Sequence, residues 1–206
     1  MAHRLLPLIA FCQLLIAYYC VMQDTLERII VFADHAHGDQ LRKYTPDRYI
    51  VHPIRVMETV RKYTDDVTIL AAALLHDVLE DTSVRKEDIR NFLSGPLTAQ
   101  QTERTIRLVV ELTDVYVKKN YPSLNRRTRK AKELERLKKT SPESQTIKYA
   151  DIMDNSVEIA IHDPEFAAVY LRESLTLLRH LTKGNAELHS EAVKIVEGAL
   201  GTLLDQ

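Results

Sequence analysis

Apolar residues recur at helical spacing along almost the whole chain, and no segment alternates apolar and polar residues convincingly, as a strand would. The 206 residues include only five glycines and seven prolines, and all the prolines except Pro7 fall at plausible helix boundaries. So few glycines argue against glycine-rich phosphate-binding loops and turn-rich β-sandwiches. A chain of this length can bury a substantial core. The sequence therefore predicts a single all-helical domain.

Boundary signals place the individual helices. Asp24 can cap the first, with a glutamate three residues later as its capping-box partner. Pro53 suits the first turn of the second. Asp65 or Asp66 can cap a helix over 67–79 that is apolar nearly all round and is therefore expected to be central. Apolar periodicity predicts further helices over 86–93, 97–112, 144–161, 165–181 and 186–204.

The first 21 residues differ in composition from the rest, so we divide the chain into an apolar segment (1–21) and a domain (22–206). Residues 5–22 are apolar apart from Gln13, at the lower end of the length that spans a bilayer. A signal peptide fits less well because the end of the segment lacks small residues for cleavage. Three interpretations stay open: residues added by an upstream start codon, a membrane anchor, and a signal or packed helix. Membrane contact is expected only for an anchor.

Charge and cysteine usage exclude several classes of protein. Lys and Arg total 28 against 29 Asp and Glu, so there is no global basic field for nucleic-acid binding. Cys12 and Cys20 both lie in the first twenty residues, which excludes a disulfide framework and a cysteine zinc site. A cationic segment runs from Lys118 to Lys139. It is either a solvated helix face or a rim that steers a polyanionic substrate.

The segment His76-Asp77-Val78-Leu79-Glu80-Asp81 carries the strongest chemical signal. On one continuous helix, Glu80 would lie one turn beyond His76, and Asp81 one turn beyond Asp77. Three carboxylates near a helix C-terminus are electrostatically unfavourable. A solvated acidic helix end is the simpler interpretation, whereas the adjacent apolar run favours a site at the edge of the core that a divalent cation would satisfy.

Three further residues extend this candidate metal site. His52 stands at the entrance of a predicted helix, and Asp151 and Asn155, four apart, share a helix face. Taken alone, each is also compatible with a cap or a polar stripe. Two imidazoles and two carboxylates suit Mn²⁺ or Fe²⁺, tolerate Zn²⁺ or Mg²⁺, and leave positions for water and a phosphate oxygen. Such a metal activates water, and Glu80 and Asp81 can transfer the protons.

Four blocks in this order resemble the HD-domain metal-dependent phosphohydrolases, and most closely the hydrolase domain of RelA/SpoT-type proteins and small single-domain alarmone hydrolases. They are HGDQLRK (37–43), YIVHP (49–53), ALLHDVLEDT (73–82) and KYAD (148–151) with Asn155. The likeness covers roughly residues 24–182. It implies an all-helical HD bundle that hydrolyses (p)ppGpp or a related nucleotide, as a guanosine-3′,5′-bis(diphosphate) 3′-pyrophosphohydrolase does. The alternatives are an HD phosphatase for another phosphorylated nucleotide, such as a dinucleotide 2′-phosphate or a nucleoside monophosphate, and a non-catalytic nucleotide sensor.

The resemblance also implies residue roles. Its metal ligands, usually for manganese, correspond to His52, His76, Asp77 and Asp151. Its catalytic acidic pair corresponds to Glu80 and Asp81, and its nucleotide contacts correspond to Arg42, Lys43 and Asn155.

Three positions depart from the pattern of this family. Arg48 stands where proline is common, Ile152 where a basic residue is common, and Asp154 where an aromatic residue or histidine is frequent. These departures concern the expected nucleotide pocket rather than the metal ligands. The sequence therefore predicts the type of reaction, hydrolysis, more firmly than the identity of the substrate. A nucleotide hydrolase is expected in the cytoplasm, whereas Arg4 before the apolar run would place the domain outside if that run were an anchor.

Overall fold

The computed structural model describes the backbone of residues 5–204 and the side chains of residue 17 and residues 19–204. Over that part of the chain the structure is all-helical, and the only strand-like pairing there is an isolated bridge between Leu41 and Arg48. The prediction of a single all-helical domain is confirmed. The helices are α1 (Leu5–His37), α2 (Val51–Arg61), α3 (Val67–Leu75), α4 (Val78–Asp81), α5 (Lys86–Leu93), α6 (Ala99–Leu112), α7 (Arg126–Leu137), α8 (Pro142–His162), α9 (Pro164–His180) and α10 (Ala186–Leu204).

Helix α1 is longer than predicted. It runs through Asp24 without a break, so the expected cap at this residue is wrong: the residues before it are also helical and leave no helix start to cap. Among its described residues, the apolar part of the buried face comprises Met22, Leu26, Ile29 and Ala33, which have helical spacing and belong to the core.

The apolar segment 1–21 is only partly visible. Residues 1–4 lie outside the described residues, as do the side chains of 5–16 and 18. Among the helices whose residues are fully described, none is long and apolar enough to span a bilayer.

Helix α3 is the centre of the core. All nine of its residues are buried, and it packs against α1, α2, α6 and α8. Of the two caps that the sequence allows, Asp66 is the one used: its carboxylate accepts the Thr68 N–H at 2.9 Å and the Thr68 hydroxyl at 2.6 Å. Arg104 also pairs with the Asp66 carboxylate. The central position predicted for this helix is confirmed.

The apolar helix ends earlier than predicted, at Leu75 rather than residue 79. His76 and Asp77 form a turn, and α4 begins immediately after it. The predicted continuous ladder over 76–81 is therefore interrupted, although the Asp81 N–H still bonds to the Asp77 carbonyl at 2.9 Å. The turn brings His76 Nε2 within 3.1 Å of Asp77 Oδ2, so two adjacent residues point to one place.

Helix α8 positions much of the polar chemistry. Ser141 caps it, and Glu111 accepts hydrogen bonds from both the N–H (2.9 Å) and the hydroxyl (2.6 Å) of Ser141, which fixes where the helix begins. It packs against α2, α3, α6, α9 and α10. One face therefore meets the core, and polar residues spaced by three or four occur at Lys148, Asp151, Asn155 and Glu158.

Candidate metal centre

Four side chains from separate parts of the chain lie around one point. His52 belongs to the first turn of α2, His76 and Asp77 to the turn after α3, and Asp151 to the middle of α8. His52 Nε2 lies 3.3 Å from Asp151 Oδ1 and 3.5 Å from Asp77 Oδ2. His76 Nε2 lies 3.1 Å from the same Asp77 oxygen and 3.7 Å from the same Asp151 oxygen. The structure thus brings together the whole predicted ligand set.

These donor atoms fit a divalent cation. The donor atoms of His52, His76 and Asp77 all lie within 4.8 Å of one another. The Ala73 carbonyl can only accept, so the 2.8 Å contact with His76 Nδ1 places a proton on that nitrogen. His76 Nε2 is buried, and although it lies 3.1 Å from Asp77 Oδ2 it makes no hydrogen bond of acceptable geometry among the described residues. A buried polar atom left in this way is costly unless a ligand satisfies it, and the mixed nitrogen and oxygen set suits a first-row divalent metal.

Neighbouring side chains hold both carboxylates in place. Tyr49 donates its hydroxyl to Asp77 Oδ2 at 2.7 Å. Lys148 donates to Asp151 Oδ2 at 2.8 Å, and Asn155 donates to Asp151 Oδ1 at 2.7 Å. Burial alone would raise the pKa of Asp151, but the Lys148 ammonium and the two imidazoles outweigh it and hold the pKa well below its usual range. Asp151 is therefore ionised, as a metal ligand must be.

His52 also has a carboxylate partner on the side away from the cluster. Its Nδ1 lies 2.6 Å from Asp154 Oδ2. Arg55 forms a two-pronged contact with Asp154, with Nε 2.6 Å from Oδ1 and Nη2 3.0 Å from Oδ2. Glu158 accepts a hydrogen bond from Arg55 Nη2 at 3.1 Å. The departure at position 154 is thus a direct neighbour of a candidate ligand.

Glu80 and Asp81 lie on α4, beside the candidate ligands rather than among them. Glu80 is an exposed residue, yet desolvation of its carboxylate and the negative charge of Asp114 raise its pKa to about 7. Its Oε2 atom accepts the Asp114 N–H at 2.9 Å. Desolvation and the charge of Asp77 also raise the pKa of Asp81. A carboxyl group with the pKa of Glu80 can exchange protons near neutral pH.

The predicted nucleotide-binding residues differ in burial and in their hydrogen-bond partners. The Arg42 guanidinium is buried and bonds to Glu158 Oε2 through Nε (3.1 Å) and Nη2 (2.9 Å), and to Asn155 Oδ1 at 3.1 Å. Lys43 is exposed and bonds to Tyr44 at 2.6 Å. Arg42 and Asn155 therefore contact each other directly, whereas Lys43 lies at the surface with its ammonium group accessible.

A cavity of about 680 Å³ opens beside Asp151, between α7, α8 and α9. The cationic segment contributes Arg127 and Lys130 to its wall, α8 contributes Lys148, and α9 contributes Tyr170. Part of the segment thus lines a cavity that Asp151 also lines, so this part is not a fully solvated face.

Sequence reasoning gave no role to Tyr49, Lys148, Arg55 or Glu158. Tyr49 and Lys148 lie within the recognised blocks, and Glu158 extends the three-and-four spacing of polar residues on α8, so a signal was present for these three. Arg55 offered none, because its contact with Asp154 depends on how α2 packs on α8.

The fold and the site together define a class of protein: a helical domain with a candidate metal centre of two imidazoles and two carboxylates at the edge of its core. The family model described as "HD domain" matches residues 30–195. This match covers most of the chain, and the chain belongs to the HD domain family.

Two relatives and one solved structure illustrate the similarity. Guanosine-3′,5′-bis(diphosphate) 3′-pyrophosphohydrolase MESH1 of Drosophila melanogaster is 34% identical over 136 residues, which are 65% of this chain and 68% of that protein. Guanosine-3′,5′-bis(diphosphate) 3′-pyrophosphohydrolase of Aquifex aeolicus is 34% identical over 101 residues, which are 49% of this chain but only 13% of that protein. A solved structure described as "A metazoan ortholog of SpoT hydrolyzes ppGpp and plays a role in starvation responses" has a TM-score of 0.70 and 27% identity. That match covers 84% of this chain and 94% of the other.

Proposed function

We propose that this protein is a metal-dependent phosphohydrolase that removes pyrophosphate from the 3′ position of (p)ppGpp or a closely related nucleotide. The observation that carries this proposal is the approach of His52, His76, Asp77 and Asp151 to within 3.1–3.7 Å between imidazoles and carboxylates, beside a cavity. The activities named for the similar proteins of Drosophila melanogaster and Aquifex aeolicus support the reaction and substrate. We assign this activity to the domain over 22–206 and, because the substrate is a nucleotide, to the cytoplasm.

We assign the metal to these four residues and name Mn²⁺ as its first identity, with Fe²⁺, Zn²⁺ and Mg²⁺ as the alternatives that the donor set allows. When bound, the cation supplies Lewis-acid activation of water and of a phosphoryl oxygen. Tyr49 and Lys148 keep the carboxylates of Asp77 and Asp151 oriented toward it.

Glu80 and Asp81 manage the protons in this proposal. A carboxyl group with a pKa of about 7, as at Glu80, is present in both protonation states at neutral pH. It can therefore accept a proton from the attacking water and return it to the leaving oxygen. Asp81, with its raised pKa, is the second group available for this transfer.

The cavity provides room for a polyphosphate, and its lining carries equal numbers of acidic and basic side chains. Of its cations, Arg127 is the one we assign first to phosphate. Lys130 lies 3.6 Å from Asp114, and Lys148 is paired with Asp151 at 2.8 Å.

We assign further nucleotide contacts to Arg42, Lys43 and Asn155. Glu158 already bonds to the edge of the Arg42 guanidinium group. Arg42 can therefore contact a nucleotide through the plane of its guanidinium group, or indirectly through Asn155.

A second candidate function is the removal of orthophosphate from a different nucleotide. The observation that favours it is the position of Ile152. This apolar residue lines the cavity, where a basic side chain would add a phosphate contact. Release of orthophosphate rather than pyrophosphate distinguishes this candidate.

The test is an assay of the purified chain with Mn²⁺ against ppGpp, pppGpp, NADPH and nucleoside monophosphates, with both phosphate products quantified. Pyrophosphate release from ppGpp that disappears in Asp77→Ala and persists in Asp65→Asn, an exposed-site control, supports the proposal. Orthophosphate release from another nucleotide supports the second candidate. No release from any substrate by a folded, Mn²⁺-loaded protein refutes both.

A further inference from the structure

His52 is held from both sides of its ring. The side chain is 1% exposed, so its hydrogen bonds rather than water determine its orientation. Nε2 faces the carboxylates of Asp77 and Asp151 at 3.5 and 3.3 Å. Nδ1 faces Asp154 Oδ2 at 2.6 Å, a distance typical of a strong charge-assisted hydrogen bond.

Asp154 is itself fixed by a charged network. The two-pronged contact from Arg55 occupies both of its oxygens. Glu158 Oε2 then accepts from Arg55 at 3.1 Å and from Arg42 at 2.9 Å. Two carboxylates and two guanidinium groups therefore balance in charge, which permits a strong hydrogen-bond acceptor to be kept in a largely buried place.

We propose that Asp154 is a positioning residue for the metal centre: it holds the proton of His52 on Nδ1 and so leaves the Nε2 lone pair free to bind the cation. This inference rests on the proposed metal site. It assigns a role to a residue that makes no contact with the four-ligand cluster except through His52. Arg55 supports this role because it fixes the plane of the Asp154 carboxylate.

The carboxylate is required because an ionised carboxylate can only accept. His52 Nδ1 must then be the donor, which selects one tautomer. An asparagine at 154 presents either an oxygen or an N–H group, so this selection is lost. Ligand histidines whose outer nitrogen loses its partner bind metal more weakly, typically by about 10–100-fold.

The test compares the full chain with Asp154→Asn, Arg55→Gln and the control Glu58→Gln. Glu58 is an exposed carboxylate on the same helix as Arg55, and it pairs with Arg61 at 3.3 Å. Calorimetry gives the affinity of each metal-free protein for Mn²⁺. Nitrogen-15 chemical shifts of His52 with Zn²⁺ bound report which ring nitrogen carries the proton, a property that a merely structural role for Asp154 would not alter.

We expect Asp154→Asn to weaken Mn²⁺ binding by about 10–100-fold and to reduce the Nδ1–H form of His52. Arg55→Gln should weaken binding by a smaller factor, and Glu58→Gln should bind as the unmodified chain does. If Asp154→Asn does not fold, as judged by circular dichroism, Arg55→Gln decides by the same two readouts.

Unchanged affinity with an unchanged His52 tautomer in a folded Asp154→Asn protein would overturn the inference while leaving the proposed function intact. Failure of the unmodified chain to bind Mn²⁺ is a different result, because it would refute the metal site itself and this inference with it.

Discussion

The Lys148 ammonium lies 2.8 Å from Asp151 Oδ2, while the other oxygen of the same carboxylate lies 3.3 Å from His52 Nε2. One carboxylate is thus shared between a fixed cation of the protein and the candidate metal centre. Lys148 also lines the neighbouring cavity. A single ion pair on α8 therefore connects the candidate ligand set with the neighbouring cavity.

Replacing Lys148 by methionine should destabilise the metal-free protein by about 3 kcal/mol, because the buried Asp151 carboxylate loses its ammonium partner. Asn155 and the two imidazoles remain beside it. Urea denaturation gives the free energy of unfolding. Lys194→Met, which changes an exposed lysine on α10, is the control and should shift it by less than about 0.5 kcal/mol. Equal stability of the two variants would show that the Lys148–Asp151 pair does not contribute.

Glu80 should make stability depend on pH. Its folded-state pKa of about 7 lies above the ordinary pKa of a glutamate, so the folded protein binds this proton more tightly than the unfolded chain. The contribution of this proton to the free energy of unfolding is complete below the pKa that Glu80 has in the unfolded chain. It is lost as the pH rises through the folded-state pKa of about 7. Metal-free Glu80→Gln should therefore melt at a higher temperature than the unmodified chain at pH 8, with a smaller advantage at pH 4.

Calorimetric melts at both pH values check this expectation. A Glu80→Gln protein whose advantage is the same at pH 4 and pH 8 would contradict a raised pKa. Activity provides a second test. The change in hydrolysis rate that titration of Glu80 causes near pH 7 should be absent from the pH–rate profile of the variant.

The cap of α3 should be specific to one of two adjacent aspartates. Asp66→Ala removes the acceptor for the Thr68 N–H and the partner of Arg104, and should cost about 1–2 kcal/mol. Asp65→Ala changes the neighbouring exposed carboxylate and should cost much less. Chemical denaturation of both proteins compares them directly, and an equal loss would mean that Asp66 does not act as the cap.

Two sides of the cationic segment (118–139) should differ in their effect on substrate binding. Arg127→Gln with Lys130→Gln removes two cations from the cavity wall and should raise KM about tenfold, equivalent to about 1.4 kcal/mol, with little change in kcat. Lys132→Gln with Lys139→Gln removes the same charge from residues that line a separate groove. Steady-state kinetics at fixed ionic strength compare the pairs, and similar KM values would exclude a role for the cavity face.

Local sequence signals predicted the regular parts of the fold well. Helices α5 (86–93) and α10 (186–204) begin and end where apolar periodicity placed them. The prediction at Asp24 was wrong because a residue that favours capping does not start a helix when the preceding segment is also helical. The interruption at 76–77 was missed because the residues there are compatible with a helix, and it is tertiary contact that directs both side chains to one point.

Residue chemistry predicted the four candidate ligands, and the structure brings them together. It did not predict that Arg42 lies buried against Glu158 or that Asp154 contacts His52. Both contacts join residues about one hundred positions apart, so they depend on the packing of α8 against α2 and the segment before it. Spacing within one helix carries no information on such contacts.

The central claim is that side chains at 52, 76, 77 and 151 bind one cation. Anomalous diffraction from crystals of the Mn²⁺-loaded protein tests it most directly. We predict one manganese peak within coordination distance of His52 Nε2, His76 Nε2 and the carboxylates of Asp77 and Asp151. A manganese peak elsewhere, or none at this position in protein that carries stoichiometric Mn²⁺, would contradict the claim.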